Sequence, residues 1–205
     1  MSVREELLAL GAATLGECGA ARMDPRIRPV WSGAELAGPA ITAKCGKGDN
    51  LAIHVAVANN EQIGAVLVVD ATNPPEFGYW GEVLTTAAEV NDIAGLVIDG
   101  GCRDVAALES HDFPVFSALI ALTGAQKKKG GSVGKVISVG GVEVAPGDWI
   151  VADVDGVVVI AAPDLEAVIE AGQARFETEQ QLFAELKDGR TTLELLGIDP
   201  KGLDK

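Results

Sequence analysis

Two short apolar runs with no polar interruption constrain the fold of this chain most strongly. They are Gly64–Asp70 and Gly95–Asp99, and their apolar residues follow one another instead of alternating with polar ones. Such runs are typical of strands that are buried on both faces of a parallel sheet. The spacing predicts a helix over Gly81–Asn91, between the two runs, and a short helix over Asp104–Ser110 after the second. Strand, helix, strand and helix in this order indicate parallel βαβ units.

The rest of the first half predicts four further segments. Leucines and alanines at helical spacing predict a helix over residues 2–18, and Gly38–Cys45 has the pattern of a strand. Asn50 is expected to cap a helix that ends near Asn60, because asparagine is a favoured residue at helix starts. Thr72–Tyr79 is expected to be a proline-rich loop.

The second half has a different character, with short apolar segments between Gly-Gly, Pro-Gly and Asp-Gly turns. These segments predict mostly antiparallel strands. The predicted strands are Val115–Ala121, Val133–Val139, Val142–Val144, Asp148–Val154 and Gly156–Ala162. A long polar helix over Pro163–Asp188 follows, with one more helical turn over Thr191–Leu196. The sequence therefore predicts an α/β protein in which a parallel part and a β-rich part share one core.

The charge balance limits the partners of the chain. Lys and Arg number 16 against 30 Asp and Glu, which gives a formal net charge of −14. This excess of acid argues against nucleic acid and anionic membranes as partners, but it permits a small anionic substrate or a basic protein segment. No apolar run approaches the roughly 18 residues of a membrane helix. Because the N-terminal segment is acidic and the three cysteines are widely spaced, we expect a cytoplasmic protein without a disulfide framework.

The chemistry is expected at the carboxyl ends of the parallel strands, where ligands bind in open α/β sheets. The helix predicted from Gly81 would present free backbone N–H groups, which form a site for a carboxylate or phosphate. Arg103 offers a forked cation for a carboxylate. Asp104 offers a hard oxygen ligand for a divalent metal, and Glu82 offers a second carboxylate at similar depth.

Simpler explanations exist for several of these residues. Taken alone, Arg103 is explained as a solvated cation and Asp104 as a helix cap. Asp99 is expected to end its strand and to order the Gly-Gly turn after it. His54 is expected to be a core histidine whose hydrogen bonds are satisfied, and Lys127–Lys129 a solvated loop.

Six short motifs occur in an order that resembles the RraA-like family, from about residue 2 to about residue 199. They are Gly48–Asn50, Trp80–Glu82, Asp99–Asp104, Phe113–Phe116, Pro146–Asp148 and Asp153–Val159. The chain departs from the usual pattern of that family at Gly101-Cys102 and around Gln126–Gly131. The family includes class II 4-hydroxy-4-methyl-2-oxoglutarate/4-carboxy-4-hydroxy-2-oxoadipate aldolases and regulators of ribonuclease E activity.

The resemblance implies a single domain with a three-layer β/β/α fold of the swivelling-domain type. It also implies a homotrimer or a hexamer built as a dimer of trimers, with sites between subunits. The C-terminal helix, at about residues 163–188, would then pack on a neighbouring subunit.

The resemblance also implies a role for each candidate residue. In the aldolases, the positions that bind pyruvate match the backbone amides of Glu82, Val83 and Leu84 and the Arg103 side chain. The position of Asp104 binds Mg²⁺ or Mn²⁺ directly, and the acid at the position of Glu82 acts through metal-bound water. A glutamate from the neighbouring subunit completes the site, and Glu179 is its best match, with Glu177 two residues away.

The function implied by the resemblance is a metal-dependent aldolase that cleaves 4-hydroxy-4-methyl-2-oxoglutarate, or a related 4-hydroxy-2-oxo acid, to pyruvate. Oxaloacetate decarboxylation is expected as a companion activity, because it forms the same pyruvate enolate. The alternative is a non-enzymatic regulator that binds a basic segment of a ribonuclease or helicase. A methyltransferase is not expected, because the chain has no glycine-rich nucleotide loop.

Overall fold

A computed structural model describes residues 1–72 and 74–202. The helices are α1 (Val3–Glu17), α2 (Leu51–Ala58), α3 (Glu82–Val90), α4 (Val105–Ser110), α5 (Leu165–Lys187) and α6 (Thr192–Leu195), with 3₁₀ turns at Ala162–Asp164 and Pro200–Gly202. The strands are β1 (Ala21–Arg22), β2 (Arg28–Pro29), β3 (Leu36–Cys45), β4 (Ala65–Asp70), β5 (Phe77–Trp80), β6 (Ile93–Cys102), β7 (Val115–Ile120), β8 (Thr123–Gly124), β9 (Gly131–Val133), β10 (Ile137–Val139), β11 (Val142–Val144), β12 (Trp149–Asp153) and β13 (Gly156–Ile160).

One mixed sheet of eleven strands organises the described residues. Its main path runs β1-β13-β12-β3-β4-β6-β5-β8, while β7 pairs with β6 and β9 with β3. The pairs β3–β4, β4–β6, β5–β6 and β6–β7 are parallel, and β1, β12 and β13 pair antiparallel. The predicted parallel core is therefore confirmed. The second half is less antiparallel than predicted, because β7 extends the parallel part.

Two buried clusters define the layers of the fold. On one face of the parallel strands, residues such as Leu67, Leu96 and Ile98 pack against α2, α3 and α4. On the other face, residues such as Val68 and Val97 pack against the antiparallel strands and the β10–β11 hairpin. The fold is therefore the expected three-layer β/β/α arrangement.

A third cluster joins α1 and α5 to the antiparallel end of the sheet. Leu7 and Leu15 of α1 are fully buried there, together with Val151 and Ile160 of the sheet. In contrast, most of α5 lies on the surface, and its buried residues are Val168 and Gly172. Within the described ranges, no helix is both long enough and apolar enough to span a bilayer.

The main correction to the sequence analysis concerns Asp99. It does not end its strand, because β6 continues through Gly100 and Gly101 to Cys102. Both glycines allow neighbouring residues to approach closely: a Cβ at Gly101 would lie 2.5 Å from the Phe77 carbonyl oxygen, and one at Gly100 would lie 2.7 Å from the Ala71 Cβ. The Gly-Gly pair is thus a packing feature of a strand and not a turn.

Three further boundaries also differ from the prediction. The proline-rich loop ends earlier, because Phe77–Trp80 forms β5 beside the end of β6. The strand predicted over Val133–Val139 is interrupted by Gly134, whose φ is +67°. Asn50 is the N-cap residue of α2, as predicted, but its side chain makes no capping bond to the described residues. The Leu51 N–H instead donates to Asp49 Oδ1 at 2.9 Å.

Candidate active site

A small pocket lies on the helical face of the sheet, at the adjacent ends of the parallel strands β5 and β6. Its volume is about 120 Å³, well below the roughly 300–1,000 Å³ of sites for drug-sized ligands. The residues that line it are Asn50, His54, Gly78, Tyr79, Trp80, Gly81, Val83, Leu84, Arg103, Asp104, Gly124, Ala125 and Lys127. The pocket therefore contains most of the predicted site residues and has the size for a small ligand.

The ends of the two strands are tied together by Asp104 and the start of α3. Asp104 Oδ2 accepts a hydrogen bond from the Glu82 backbone N–H at 3.1 Å. The backbone of Asp104 has a φ of 60° and lies in the left-handed region, which is uncommon for a residue other than glycine. Gly81 permits this contact, because a Cβ at that position would overlap Asp104 Oδ2. The carboxylate is thus held at the rim of the pocket, with 41% of the side chain exposed.

Arg103 crosses the pocket beside this carboxylate. Its Nε lies 3.7 Å from Asp104 Oδ2, and its backbone N–H donates to the Trp80 carbonyl oxygen at 3.0 Å. The stem of the side chain passes over Gly78, where a Cβ would lie 3.1 Å from Arg103 Cδ. The guanidinium is half-exposed and retains donors for an anion.

The first amides of α3 differ in their partners. The Glu82 N–H donates to Asp104, and the Leu84 N–H donates to the Gly81 carbonyl oxygen at 3.1 Å. The Val83 N–H has no hydrogen-bond partner within residues 1–72 and 74–202. A helix start with a free N–H beside an arginine can bind a carboxylate. The assignment of the three amides to pyruvate stays a prediction.

Two pocket residues were missed by the sequence analysis. Asn50 is 4% exposed, and its Nδ2 donates to the Tyr79 carbonyl oxygen at 2.7 Å. Its Oδ1 and His54 Nε2 are buried, and neither atom has a hydrogen-bond partner among the residues that the structure describes. The expectation that His54 is a satisfied core histidine was therefore wrong. Burial, assisted by Lys127, lowers the pKa of His54 below its usual value.

Asp49 orders the loop that forms the other rim of the pocket. Its Oδ2 accepts hydrogen bonds from the N–H groups of Lys128 at 2.6 Å and Lys129 at 3.1 Å. Burial opposes its ionisation, but these bonds, the bond from Leu51 and the charge of Lys127 outweigh burial and lower the pKa of Asp49. The three-lysine segment is therefore an anchored loop, with Lys127 at the pocket, and not only a solvated one.

The two predicted glutamates do not face the centre of the pocket within one chain. The Glu82 side chain is 57% exposed, and its Oε1 lies 3.8 Å from His111 Nε2. Glu179 lies on α5 and pairs with Arg175 at 2.9 Å, outside the pocket. Glu177 lines a separate groove between α1 and α5. A contribution of Glu179 to the site of a neighbouring subunit stays a prediction.

The acids of the two central strands serve the opposite face of the sheet. Asp99 Oδ1 and Oδ2 each lie 2.7 Å from Arg26 Nη2, and Oδ2 also accepts from the Gly140 N–H at 2.9 Å. Asp70 Oδ2 lies 2.7 Å from Lys44 Nζ, and this contact raises the pKa of the Lys44 ammonium. A raised pKa keeps Lys44 protonated, and a protonated amine cannot attack a carbonyl substrate to form a Schiff base.

The fold and the pocket define an α/β protein with a small polar pocket at the ends of two parallel strands. A family model described as RraA-like, Aldolase/RraA, matches residues 12–159. The chain therefore belongs to the RraA-like family, and the expected resemblance is confirmed.

Similar proteins carry names of two kinds. A protein of Halalkalibacterium halodurans named "Putative 4-hydroxy-4-methyl-2-oxoglutarate aldolase" is 33% identical over 157 residues, which cover 77% of this chain and 74% of that one. The solved structure of RraAS2 from Streptomyces coelicolor, described as an unusual member of the RNase ES inhibitor RraA protein family, is 25% identical with a TM-score of 0.74 and covers 92% and 96% of the two chains. The RNA-processing inhibitor RraA from Thermus thermophilis is 27% identical with a TM-score of 0.60 and covers 69% and 84%.

Proposed function

We propose that this protein is a divalent-metal-dependent aldolase that cleaves a 4-hydroxy-2-oxo acid, such as 4-hydroxy-4-methyl-2-oxoglutarate, and releases pyruvate. The observation that carries the proposal is the pocket in which Arg103, Asp104 and the free Val83 N–H come together. These groups provide two donors for an anion and one hard anionic ligand for a cation. The names of relatives such as the Halalkalibacterium halodurans protein support the same reaction class.

The donor set suits a cation that keeps much of its own hydration. Among the residues that the structure describes, no group of three or more His, Cys, Asp and Glu side chains is placed to hold a metal ion. Asp104 is a single carboxylate at the rim, with Oδ2 bound to one amide. Mg²⁺ is commonly bound through one or two carboxylates and retains several waters. Asp104 therefore suits a partly hydrated Mg²⁺ or Mn²⁺ ion better than an ion whose ligands all come from the protein.

The reaction requires stabilisation of the pyruvate enolate. When the 4-hydroxyl loses its proton and the C3–C4 bond breaks, the electron pair forms an enolate with negative charge on the 2-oxo oxygen. Arg103 binds the carboxylate end and stabilises this developing charge. Asp104 would hold a divalent cation, which would supply further Lewis-acid stabilisation when bound.

Proton transfer completes the cycle and needs a base near C4. Glu82 and Glu179 of a neighbouring subunit are the candidate carboxylates; a base takes the 4-hydroxyl proton and an acid returns one to C3 of the enolate. Oxaloacetate gives the same enolate when it loses CO₂, so the pocket should also decarboxylate oxaloacetate. A trimer or hexamer would allow the neighbouring α5 to reach the site.

The proposal is tested by measuring pyruvate release from 4-hydroxy-4-methyl-2-oxoglutarate and from oxaloacetate. We expect both activities in Mg²⁺ or Mn²⁺, loss of both in EDTA and recovery when the metal is restored. If neither substrate releases pyruvate at any metal concentration, the proposal is contradicted.

A second candidate function is regulation through a basic protein segment. It is favoured by the names of the two solved RraA structures and by the net charge of −14. Such binding needs an acidic surface and not the pocket, so it should survive Asp104→Asn. Binding of a basic ribonuclease or helicase segment that is unaffected by this substitution, in a protein without pyruvate release, would favour the regulator.

A further inference from the structure

Two polar atoms without hydrogen-bond partners belong to residues that line the pocket on the side of α2. Asn50 Oδ1 and His54 Nε2 are both buried, and neither has a hydrogen-bond partner in the described part of the chain. Asn50 is the N-cap residue of α2, and His54 lies four positions later, a spacing that places side chains on the same side of a helix. Both line the pocket that contains Arg103.

Such atoms need an explanation, because buried polar groups in proteins are almost always hydrogen-bonded. The Asn50 amide cannot satisfy Oδ1 by turning over, since its Nδ2 already donates to the buried Tyr79 carbonyl oxygen at 2.7 Å. Oδ1 is therefore fixed as an acceptor beside the pocket. An acceptor in this position is complemented by a ligand that donates a hydrogen bond.

The pocket thus has two chemically different walls. The wall of Arg103 and the Val83 N–H offers donors, which suit a carboxylate or an oxo oxygen. The wall of Asn50 offers an acceptor, which suits a hydroxyl group and disfavours a carboxylate oxygen. A molecule with a 2-oxo acid at one end and a hydroxyl two carbons away presents both kinds of group.

We propose that Asn50 and His54 bind the 4-hydroxyl of the substrate and make the site selective for 4-hydroxy-2-oxo acids over 2-oxo acids without a hydroxyl. This selectivity rests on the proposed aldolase function. The hydroxyl donates its proton to Asn50 Oδ1, and the His54 Nε2–H group donates a second hydrogen bond to the hydroxyl oxygen. The pair orients the hydroxyl and is separate from the groups that stabilise the enolate.

Oxaloacetate provides the discriminating substrate, because it has no hydroxyl at C4 but yields the same enolate. His54→Phe keeps a ring and removes the nitrogen, so we expect kcat/KM for 4-hydroxy-4-methyl-2-oxoglutarate to fall by about tenfold or more. Oxaloacetate decarboxylation should stay within about twofold of the wild-type value, because the C4 carboxylate of oxaloacetate has no hydroxyl proton to donate to Asn50 Oδ1 and is released as CO₂. His54→Gln restores a polar atom near the position of Nε2 and should recover part of the aldol cleavage.

Controls separate this contact from a structural role. Val55→Gln changes a neighbouring residue on the same helix that is 39% exposed and should leave both activities unchanged. His54→Leu repeats the removal of the nitrogen with a smaller side chain, in case the phenyl ring prevents folding. Melting temperatures establish that each variant is folded.

The possible outcomes are distinct. A selective loss of aldol cleavage in His54→Phe, with recovery in His54→Gln, supports the proposal. Equal losses on both substrates, or no loss on either, would overturn it while leaving the aldolase function intact. A wild-type protein inactive on both substrates would overturn the aldolase function, and the selectivity would fall with it.

Discussion

The Asp104 carboxylate accepts a hydrogen bond from the backbone N–H of Glu82, with 3.1 Å between N and Oδ2. The two residues are separated by 22 positions in the chain, and each follows the end of a parallel strand. The contact therefore fixes the loop after β6 against the first turn of α3. Asp104 Oδ1 accepts no hydrogen bond from the described residues and is the oxygen available to a cation.

The first prediction concerns Asp104 as the metal ligand. Asp104→Asn keeps the shape of the side chain but removes its negative charge, so activity in Mg²⁺ should fall on the order of a hundredfold or more. Asparagine tolerates the left-handed backbone, and the fold should survive. Pyruvate release and the melting temperature measure the two effects.

Asp112→Asn is the matched control for this substitution. Asp112 lies at the other end of α4, is exposed, and has a similar φ of 52°. It should leave pyruvate release unchanged. Near wild-type turnover of Asp104→Asn in Mg²⁺ would show that the ligand is assigned incorrectly.

Gly81 is predicted to be required for the position of Asp104 and not for its own backbone conformation. Its φ of −176° is accessible to alanine, but the added Cβ would displace the Asp104 carboxylate. Because small displacements of catalytic groups are costly, Gly81→Ala should lower kcat/KM by about tenfold or more. Since Asp104 is exposed enough to turn away, the free energy of unfolding should fall by less than about 1 kcal/mol. A variant with wild-type kcat/KM would show that the carboxylate position is not critical.

Asp49 is predicted to stabilise the loop at the rim through its charge. Asp49→Asn replaces one acceptor oxygen by an amide donor that faces backbone N–H groups, and it should lower the free energy of unfolding by about 2 kcal/mol. Since the folded-state pKa of Asp49 is depressed, its contribution is present above the unfolded pKa and is lost as the pH falls through the folded pKa. The difference between wild type and variant should therefore shrink in acid. Urea unfolding at neutral and acidic pH tests this, and a difference independent of pH would contradict the role of the charge.

Glu179 is predicted to serve the site of a neighbouring subunit. Asp104→Ala and Glu179→Gln should each be inactive alone. Unfolded together and reassembled, they should regain activity, because mixed oligomers contain some sites with one intact Asp104 and one intact Glu179. If mass spectrometry shows that the subunits have exchanged and the mixture is still inactive, Glu179 does not belong to a shared site.

The sequence was sufficient to predict the parallel core. The runs that contain Val68 and Val97 became β4 and β6, because strands covered on both faces need continuous apolar residues. Asp99 was mispredicted for a tertiary reason. The Gly100-Gly101 pair has the local signal of a turn, but its role is to let β5 and Ala71 approach the strand.

The candidate site was predicted in part. Arg103 and Asp104 follow a recognisable strand end, so their place at the pocket could be anticipated. The orientation of Asn50 and His54 could not, because it depends on the packing of α2 beside β5 and on the bond from Asn50 to the Tyr79 carbonyl. The signal in the sequence was that His54 follows Asn50, the last residue of the Gly48–Asn50 motif, by four positions.

The most direct test of the central claim is the exchange of the methyl protons of pyruvate with D₂O, followed by proton NMR. Exchange requires formation of the enolate, and pyruvate is the only substrate that it needs. Wild-type protein with Mg²⁺ should catalyse the exchange, and EDTA should abolish it. Arg103→Lys should also be impaired, because lysine keeps the charge but lacks the two parallel donors of the guanidinium. Exchange that is absent in the wild type, or equally fast in EDTA and in Arg103→Lys, would contradict an enolate-stabilising pocket built on Arg103 and Asp104.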